Sequence, residues 1–161
     1  MILAIDIGNT NIFIGAIDNK KTYFVERITT TIGKTNLEYA ITLKRILEIY
    51  QIEPKEIEGG IISSVVPPLN RTLISAVRKI TGIYPKLVGS GMKTGLNILM
   101  DNPKSVGSDM IVNSIGALGE HEPPIIIIEM GTATTMSVID KNSRYIGGAI
   151  LPGLRVSLDS M

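Results

Sequence analysis

Short apolar runs punctuated by turn residues open the chain. Residues 1–7 read as a buried strand that ends in a tight turn, Asp6-Ile7-Gly8-Asn9-Thr10. Residues 11–17 and 22–28 give two more strands with short connections, which predicts an antiparallel meander. Residues 37–50 place Leu37, Ala40, Ile41, Leu43, Leu47 and Tyr50 near one helical face, and Asn36 is positioned to cap that helix. Residues 59–66 form a buried strand stopped by Pro67-Pro68. A second helix over 69–80 ends at Gly82, and 86–88 reads as a short strand. The stretch 89–104 reads as mostly irregular, and 108–118 as a helix capped by Ser108 or Asp109. A polar, Pro-rich junction follows at 120–124. The apolar strand 125–129 then begins a second meander, with strands at 136–140 and 144–150 joined by a Lys-Asn-Ser turn. A Pro-Gly turn and a few helical residues come last.

The order β-β-β-α-β-α, followed by a second β-β-β start, predicts an α/β chain with an approximate internal duplication. The two starts share one grammar: an apolar strand ending in an acid, then x-Gly, then small polar residues. It occurs as Asp6-Ile7-Gly8-Asn9-Thr10 and, about 123 positions later, as Glu129-Met130-Gly131-Thr132-Ala133-Thr134-Thr135. The expected domains are 1–120 and 121–161. A Gly in a tight hairpin lets backbone approach a ligand closely. Neighbouring N–H groups and hydroxyls then cradle phosphate oxygens, and the acid can hold a hydrated Mg²⁺ that bridges them. Two such hairpins facing across a cleft would make a two-sided phosphate clamp. The segment Gly33-Lys34-Thr35 looks like the end of a Walker A loop, but that motif's first Gly falls at Ile28, so the loop cannot form.

Composition narrows the chemistry. The 161 residues are 44% hydrophobic and 19% charged, which excludes a disordered or fibrous chain. A net charge of +1 gives no electrostatic footprint for nucleic acid or an anionic membrane. The lack of Cys excludes disulfides, zinc thiolates and cysteine nucleophiles. A lone His121 argues against a Ser-His-Asp triad or a multi-His metal site. Asp6 interrupts the first apolar run and no basic lead precedes it, so no signal peptide is expected. No run approaches the roughly 20 apolar residues of a membrane span, and a cytoplasmic location is the expectation.

The duplicated hairpin resembles the actin, hexokinase and Hsp70 superfamily, with its ribonuclease H-like half-folds. Six segments in order resemble the type III pantothenate kinase family. They are Asp6-Ile-Gly-Asn-Thr-Asn, Ile62-Ser-Ser-Val-Val-Pro, Asp101-Asn-Pro, Val106-Gly-Ser-Asp, Gly131-Thr-Ala-Thr-Thr and Gly147-Gly-Ala-Ile-Leu-Pro-Gly. The resemblance implies transfer of the γ-phosphoryl of ATP to the primary hydroxyl of pantothenate, the first step toward coenzyme A. It also implies a homodimer, Mg²⁺ and a monovalent cation (K⁺ or NH₄⁺). By the same resemblance Asp6, Ile7, Gly8, Asn9, Thr10, Asn11, Ile12 and Phe13 form the first phosphate loop, and Asp6 orients Mg²⁺. Asp109 is the general base, and Thr132 helps bind ATP phosphate. Gly107 and Ser108 line the pantothenate pocket, with Met100 and Met110 at its substrate-contacting positions.

Three positions depart from the family pattern. Met110 stands where the family has Arg, Met100 where it has Tyr, and Glu129 where an Asp serves the monovalent cation. The departures keep two further readings open, a non-catalytic accessory protein and a same-fold kinase for another small substrate. Family chains run well beyond residue 161. The expectation is therefore of a second half-fold that is incomplete here: a fragment, a truncation or a chain completed by a partner.

Overall fold

Alternate burial along β1 (Ile2–Ile7) organises the first sheet. In this computed structural model, which describes residues 1–89 and 92–160, Leu3, Ile5 and Ile7 are buried while Ala4 and Asp6 are only half-buried. On β2 (Asn11–Ile17) the buried set is Ile12, Ile14 and Ala16. β1 and β2 pair antiparallel with Ile7 opposite Ile12, so the two buried rows share one face. β3 (Thr22–Thr29) continues the meander. β4 (Gly59–Ser64) and β5 (Lys86–Leu87) run parallel to β1, giving the order β3-β2-β1-β4-β5. Parallel neighbours need crossovers, and α1 (Asn36–Ile49) and α2 (Pro67–Thr81) supply them. The two helices pack on each other, and Tyr39, Leu43, Leu47, Leu69 and Leu73 join the buried sheet rows in one core.

Three local expectations change. The N-cap of α1 is Thr35, not Asn36. Thr35 Oγ1 accepts the Glu38 N–H at 3.3 Å and the Glu38 carboxylate accepts the Thr35 N–H at 2.8 Å, a capping box. Asn36 is the first helical residue and donates to Ser75 Oγ at 3.0 Å. The buried face of α1 is also rotated: Tyr39 and Ile46 are inside, whereas Leu37 and Ile41 are exposed. Finally, α2 begins at Pro67 rather than after the prolines, because a proline in the first turn gives up no helical hydrogen bond.

The second sheet has the order β6-β9-β8-β7. β7 (Ile125–Met130), β8 (Ala133–Ile139) and β9 (Arg144–Pro152) form an antiparallel meander, and β6 (Asn97–Ile98) pairs parallel with β9. β6 lies in the stretch expected to be irregular; residues 90 and 91 of that stretch lie outside the described residues. α3 (Ser108–Glu120) packs on β7 and β8, and α4 (Leu154–Asp159) follows β9. Ile125 and Ile127 are half-buried, while Ile126 and Ile128 are exposed on the opposite face. A small core joins Val106, Met110 and Tyr145. The compact units are Met1–Val88 and Gly89–Met161. Because α3 packs on β7 and β8, it groups with the later unit, upstream of the junction read at 120–124.

The β8–β9 turn is tied by one side chain. Asp140 accepts the Asn142 and Arg144 backbone N–H groups at 2.9 and 3.0 Å. Its other oxygen accepts Arg144 Nε and Nη2 at 2.8 and 2.6 Å. The Arg144 guanidinium, helped by the two amides, lowers the Asp140 carboxyl to about 2. The depressed folded value stabilises the fold above the unfolded carboxyl value near ~4, and that contribution is lost as pH falls toward 2. Asp140→Asn is therefore expected to unfold earlier in urea at pH 7. Its deficit relative to the parent should shrink between pH 4 and pH 2; a deficit constant across that window would contradict the assignment.

Candidate active site

The first hairpin is braced from outside. Gly8 N–H donates to Asn11 O at 2.9 Å and closes the turn. A Cβ on Gly8 would sit 3.0 Å from that same carbonyl oxygen, which explains the glycine. Thr30, just past β3, donates its hydroxyl to Gly8 O at 2.7 Å and its N–H to Thr10 O at 2.9 Å. The fully buried Tyr39 holds the next residue: its hydroxyl accepts Thr31 N–H at 3.1 Å and donates to Thr31 O at 3.0 Å. The loop is thus held by a strand end and a helix as well as by its own Gly8–Asn11 bond.

That bracing sets what each loop residue can offer. Ile7 and Ile12 are entirely buried, so their side chains are closed to any ligand. Asn9, Thr10 and Phe13 are exposed, and Gly8 and Asn11 are half-buried. Asp6 lies opposite Phe13 and beside Ser63 of β4, with Ser64 next in register. The donors placed side by side are therefore the Asp6 carboxylate and the Ser63 hydroxyl, hard oxygens of the kind that suit Mg²⁺, while Ser64 belongs to the opposite face of the sheet. Among the described residues no three His, Asp or Glu side chains gather to hold a metal alone.

The start of α3 carries the second group of expected residues. Gly107 is its N-cap, in place of the expected Ser108 or Asp109. Asp109 sits in the first turn, where a carboxylate suits the helix dipole. Its Oδ1 accepts the Met110 N–H at 2.8 Å. A Cβ on Gly107 would strike Asp109 Oδ1, so glycine leaves the carboxylate its room. A cavity of about 100 Å³ is lined by Met100, Ser105, Val106, Met110, Tyr145 and Ile150. Gly148 completes the lining, whereas Gly107 and Ser108 are not part of it. Tyr145 is 1% exposed, and its hydroxyl donates to Met110 Sδ at 3.9 Å.

The second hairpin repeats the first with one residue fewer. Gly131 N–H donates to Ala133 O at 2.9 Å. Glu129 pairs with Thr135, six positions on, whereas Asp6 pairs with Phe13, seven positions on. Glu129 Oε2 accepts Asn113 Nδ2 at 2.7 Å, which links β7 to α3. Thr132 is exposed at the turn. Gly153, the N-cap of α4, approaches this turn so closely that a Cβ would meet Thr132 O, with Gly131 O at 2.7 Å.

The residues missed by sequence reasoning are the braces: Thr30, Tyr39, Asn113 and Tyr145. Each is distant in sequence from the residue it holds, so no local spacing marks it. A signal existed only for Tyr39, which falls on the buried helical face with Leu43 and Ile46.

Comparison with known proteins places the chain. The solved structure of a Porphyromonas gingivalis putative N-acetylglucosamine kinase is similar, with a TM-score of 0.53 and 14% identity over 92% of this chain and 47% of that one. An Aquifex aeolicus Ppx/GppA phosphatase matches with a TM-score of 0.54 and 12% identity over 99% of this chain and 54% of that one. At such identities the likeness concerns the fold, which is the actin-like α/β fold. A Geobacillus sp. (strain WCH70) type III pantothenate kinase is 44% identical over the whole chain. The chain spans 62% of that relative's length. The family model for type III pantothenate kinase matches residues 2–161. The chain therefore belongs to the type III pantothenate kinase family.

Proposed function

We propose that the protein transfers the γ-phosphoryl group of ATP to the primary hydroxyl of pantothenate. Family membership over residues 2–161 supports the reaction class. The observation that carries the reading is Asp109, half-buried in the first turn of α3 with Met110 of the same turn lining a cavity. Phosphoryl transfer asks little covalent work of the protein; it needs positioning and neutralised charge. The backbone of Gly8 to Asn11 and the hydroxyl of Thr10 bind phosphate oxygens. Asp6 would hold Mg²⁺, which supplies charge neutralisation between the phosphates. Asp109 accepts the proton of the attacking hydroxyl. Thr132 binds phosphate from the second hairpin. Glu129, oriented by Asn113, would hold the monovalent cation. The same reading carries a homodimer.

ADP release with and without pantothenate, in the presence of K⁺ or NH₄⁺, tests this reading. Pantothenate-dependent ADP release is expected, and its absence would contradict it. The charge-free lining of the cavity by Met100 and Met110 favours one second reading, a same-fold kinase for another small alcohol. Release of ADP only with a different acceptor would select it.

A further inference from the structure

On the kinase reading, we infer that Thr30 is a positioning residue for the first phosphate hairpin: it fixes the directions of two peptide groups in the loop and so sets the affinity for ATP. Thr30 lies one residue past β3, 22 positions from Gly8, and is half-buried. Its hydroxyl donates to Gly8 O at 2.7 Å and its N–H donates to Thr10 O at 2.9 Å. A peptide group is planar and trans, so its N–H points opposite to its carbonyl. The peptide that carries Gly8 O also carries the Asn9 N–H, and the one that carries Thr10 O carries the Asn11 N–H. With both carbonyls drawn to Thr30, both N–H groups are turned away from it. Backbone N–H groups aligned in a turn make a concavity for an anion. A carbonyl swung round in their place would turn its own oxygen on a phosphate oxygen and repel it.

The two bonds ask different things of the sequence. The Thr30 N–H is backbone, and any residue except proline supplies it. The hydroxyl belongs to the side chain and makes the shorter bond. Without it the Gly8–Asn9 peptide loses the contact that fixes its direction. Reorienting that peptide is cheap, because glycine restrains the backbone less than any other residue. Gly8 is needed for the close turn, where a Cβ would sit 3.0 Å from Asn11 O. Thr30 restores the restraint that the glycine gives up.

Tyr39 extends the support to α1. Its buried hydroxyl bonds both the N–H and the carbonyl of Thr31, at 3.1 and 3.0 Å. Thr31 is exposed, so water can take over those bonds, and Tyr39 has the smaller part.

Calorimetry of MgATP binding to the full chain tests this with Thr30→Val, Thr30→Ser and Tyr39→Phe, alongside urea melts. Thr30→Val keeps the shape and the backbone bond but not the hydroxyl. It should raise Kd for ATP by about 2- to 13-fold, the range of one hydrogen bond. Thr30→Ser restores the hydroxyl and should bind close to the parent, and Tyr39→Phe should weaken binding less than Thr30→Val. Thr42→Val is the matched control: it too loses a threonine hydroxyl bond, to Glu38 O at 2.9 Å within α1, and its Kd should equal the parent's. A Thr30→Val protein that binds ATP as the parent does, with only its urea midpoint lowered, makes Thr30 a structural brace and overturns the inference. So does a serine variant as weak as the valine one, or an equal loss in Thr42→Val. ATP bound with this Thr30 dependence but never transferred supports the positioning role and refutes the kinase reading. A parent that binds no ATP overturns both.

Discussion

Replacing Asp109 with Asn is expected to lower kcat by about 10² to 10⁴, the usual contribution of a positioned general base. The substitution keeps shape, and the amide oxygen can still accept the Met110 N–H that Asp109 now accepts at 2.8 Å. It removes only the charge and the ability to take a proton. The fold should barely respond, because a first-turn carboxylate contributes about 0.3–1 kcal/mol through the helix dipole. KM for the acceptor alcohol should change far less than kcat, since the cavity wall is Met110 and Tyr145 rather than Asp109. Steady-state kinetics with a parallel thermal melt separates these outcomes. An unchanged kcat would make Asp109 an ordinary helix-start acid.

The second large effect is expected at Gly153. An alanine there drives its Cβ into the carbonyl oxygens of Thr132 and Gly131. Backbone cannot swing aside as a side-chain end can, so either the hairpin turn or the start of α4 must move. Overpacking of this kind costs about 1–3 kcal/mol. The displaced carbonyls belong to the second hairpin, so the KM for ATP should rise along with the loss of stability. Gly147 provides the comparison, because a Cβ there meets nothing within 4 Å. Gly147→Ala should leave urea midpoint and KM for ATP close to the parent. Equal effects at both glycines would contradict the close-approach argument.

The contrast between those glycines shows where sequence reading reaches its limit. Segment 147–153 is legible as a motif, yet nothing in its letters says that Gly148 makes room for the Met136 carbonyl, Tyr145 and Met110, that Gly153 makes room for the hairpin, and that Gly147 does neither. The first sheet was readable because its information is local: Leu3, Ile5 and Ile7 alternate with polar or small positions, and turn residues separate the strands. The duplicated hairpin was readable for the same reason. The face of α1 was misjudged because apolarity alone put Leu37 and Ile41 inside. The buried partner is Tyr39, whose hydroxyl has a backbone pair to satisfy at Thr31. β6 escaped notice because a two-residue strand has no periodicity to detect; only its partner Arg144–Tyr145 on β9 defines it. Asn113 holding Glu129 joins residues 16 positions apart on a helix and a strand, and only the fold brings them together.

The candidate site follows the same division. Asp6, Gly8, Asp109, Gly131 and Thr132 were identified from spacing and resemblance. Their supports were not, and neither was the division of labour within the first loop. Six of its eight expected residues have at least half-buried or exposed side chains, while Ile7 and Ile12 belong to the core. Substituting either isoleucine would therefore report on stability before it reported on phosphate binding.

Label transfer separates phosphorylation of pantothenate from ATP hydrolysis. ATP labelled at the γ-phosphoryl is incubated with pantothenate and the full chain, and the products are separated. Label on pantothenate is expected with the parent protein, and its loss with Asp109→Asn. Unlabelled pantothenate with the parent, or equal labelling by the Asp109→Asn variant, would contradict the proposed transfer.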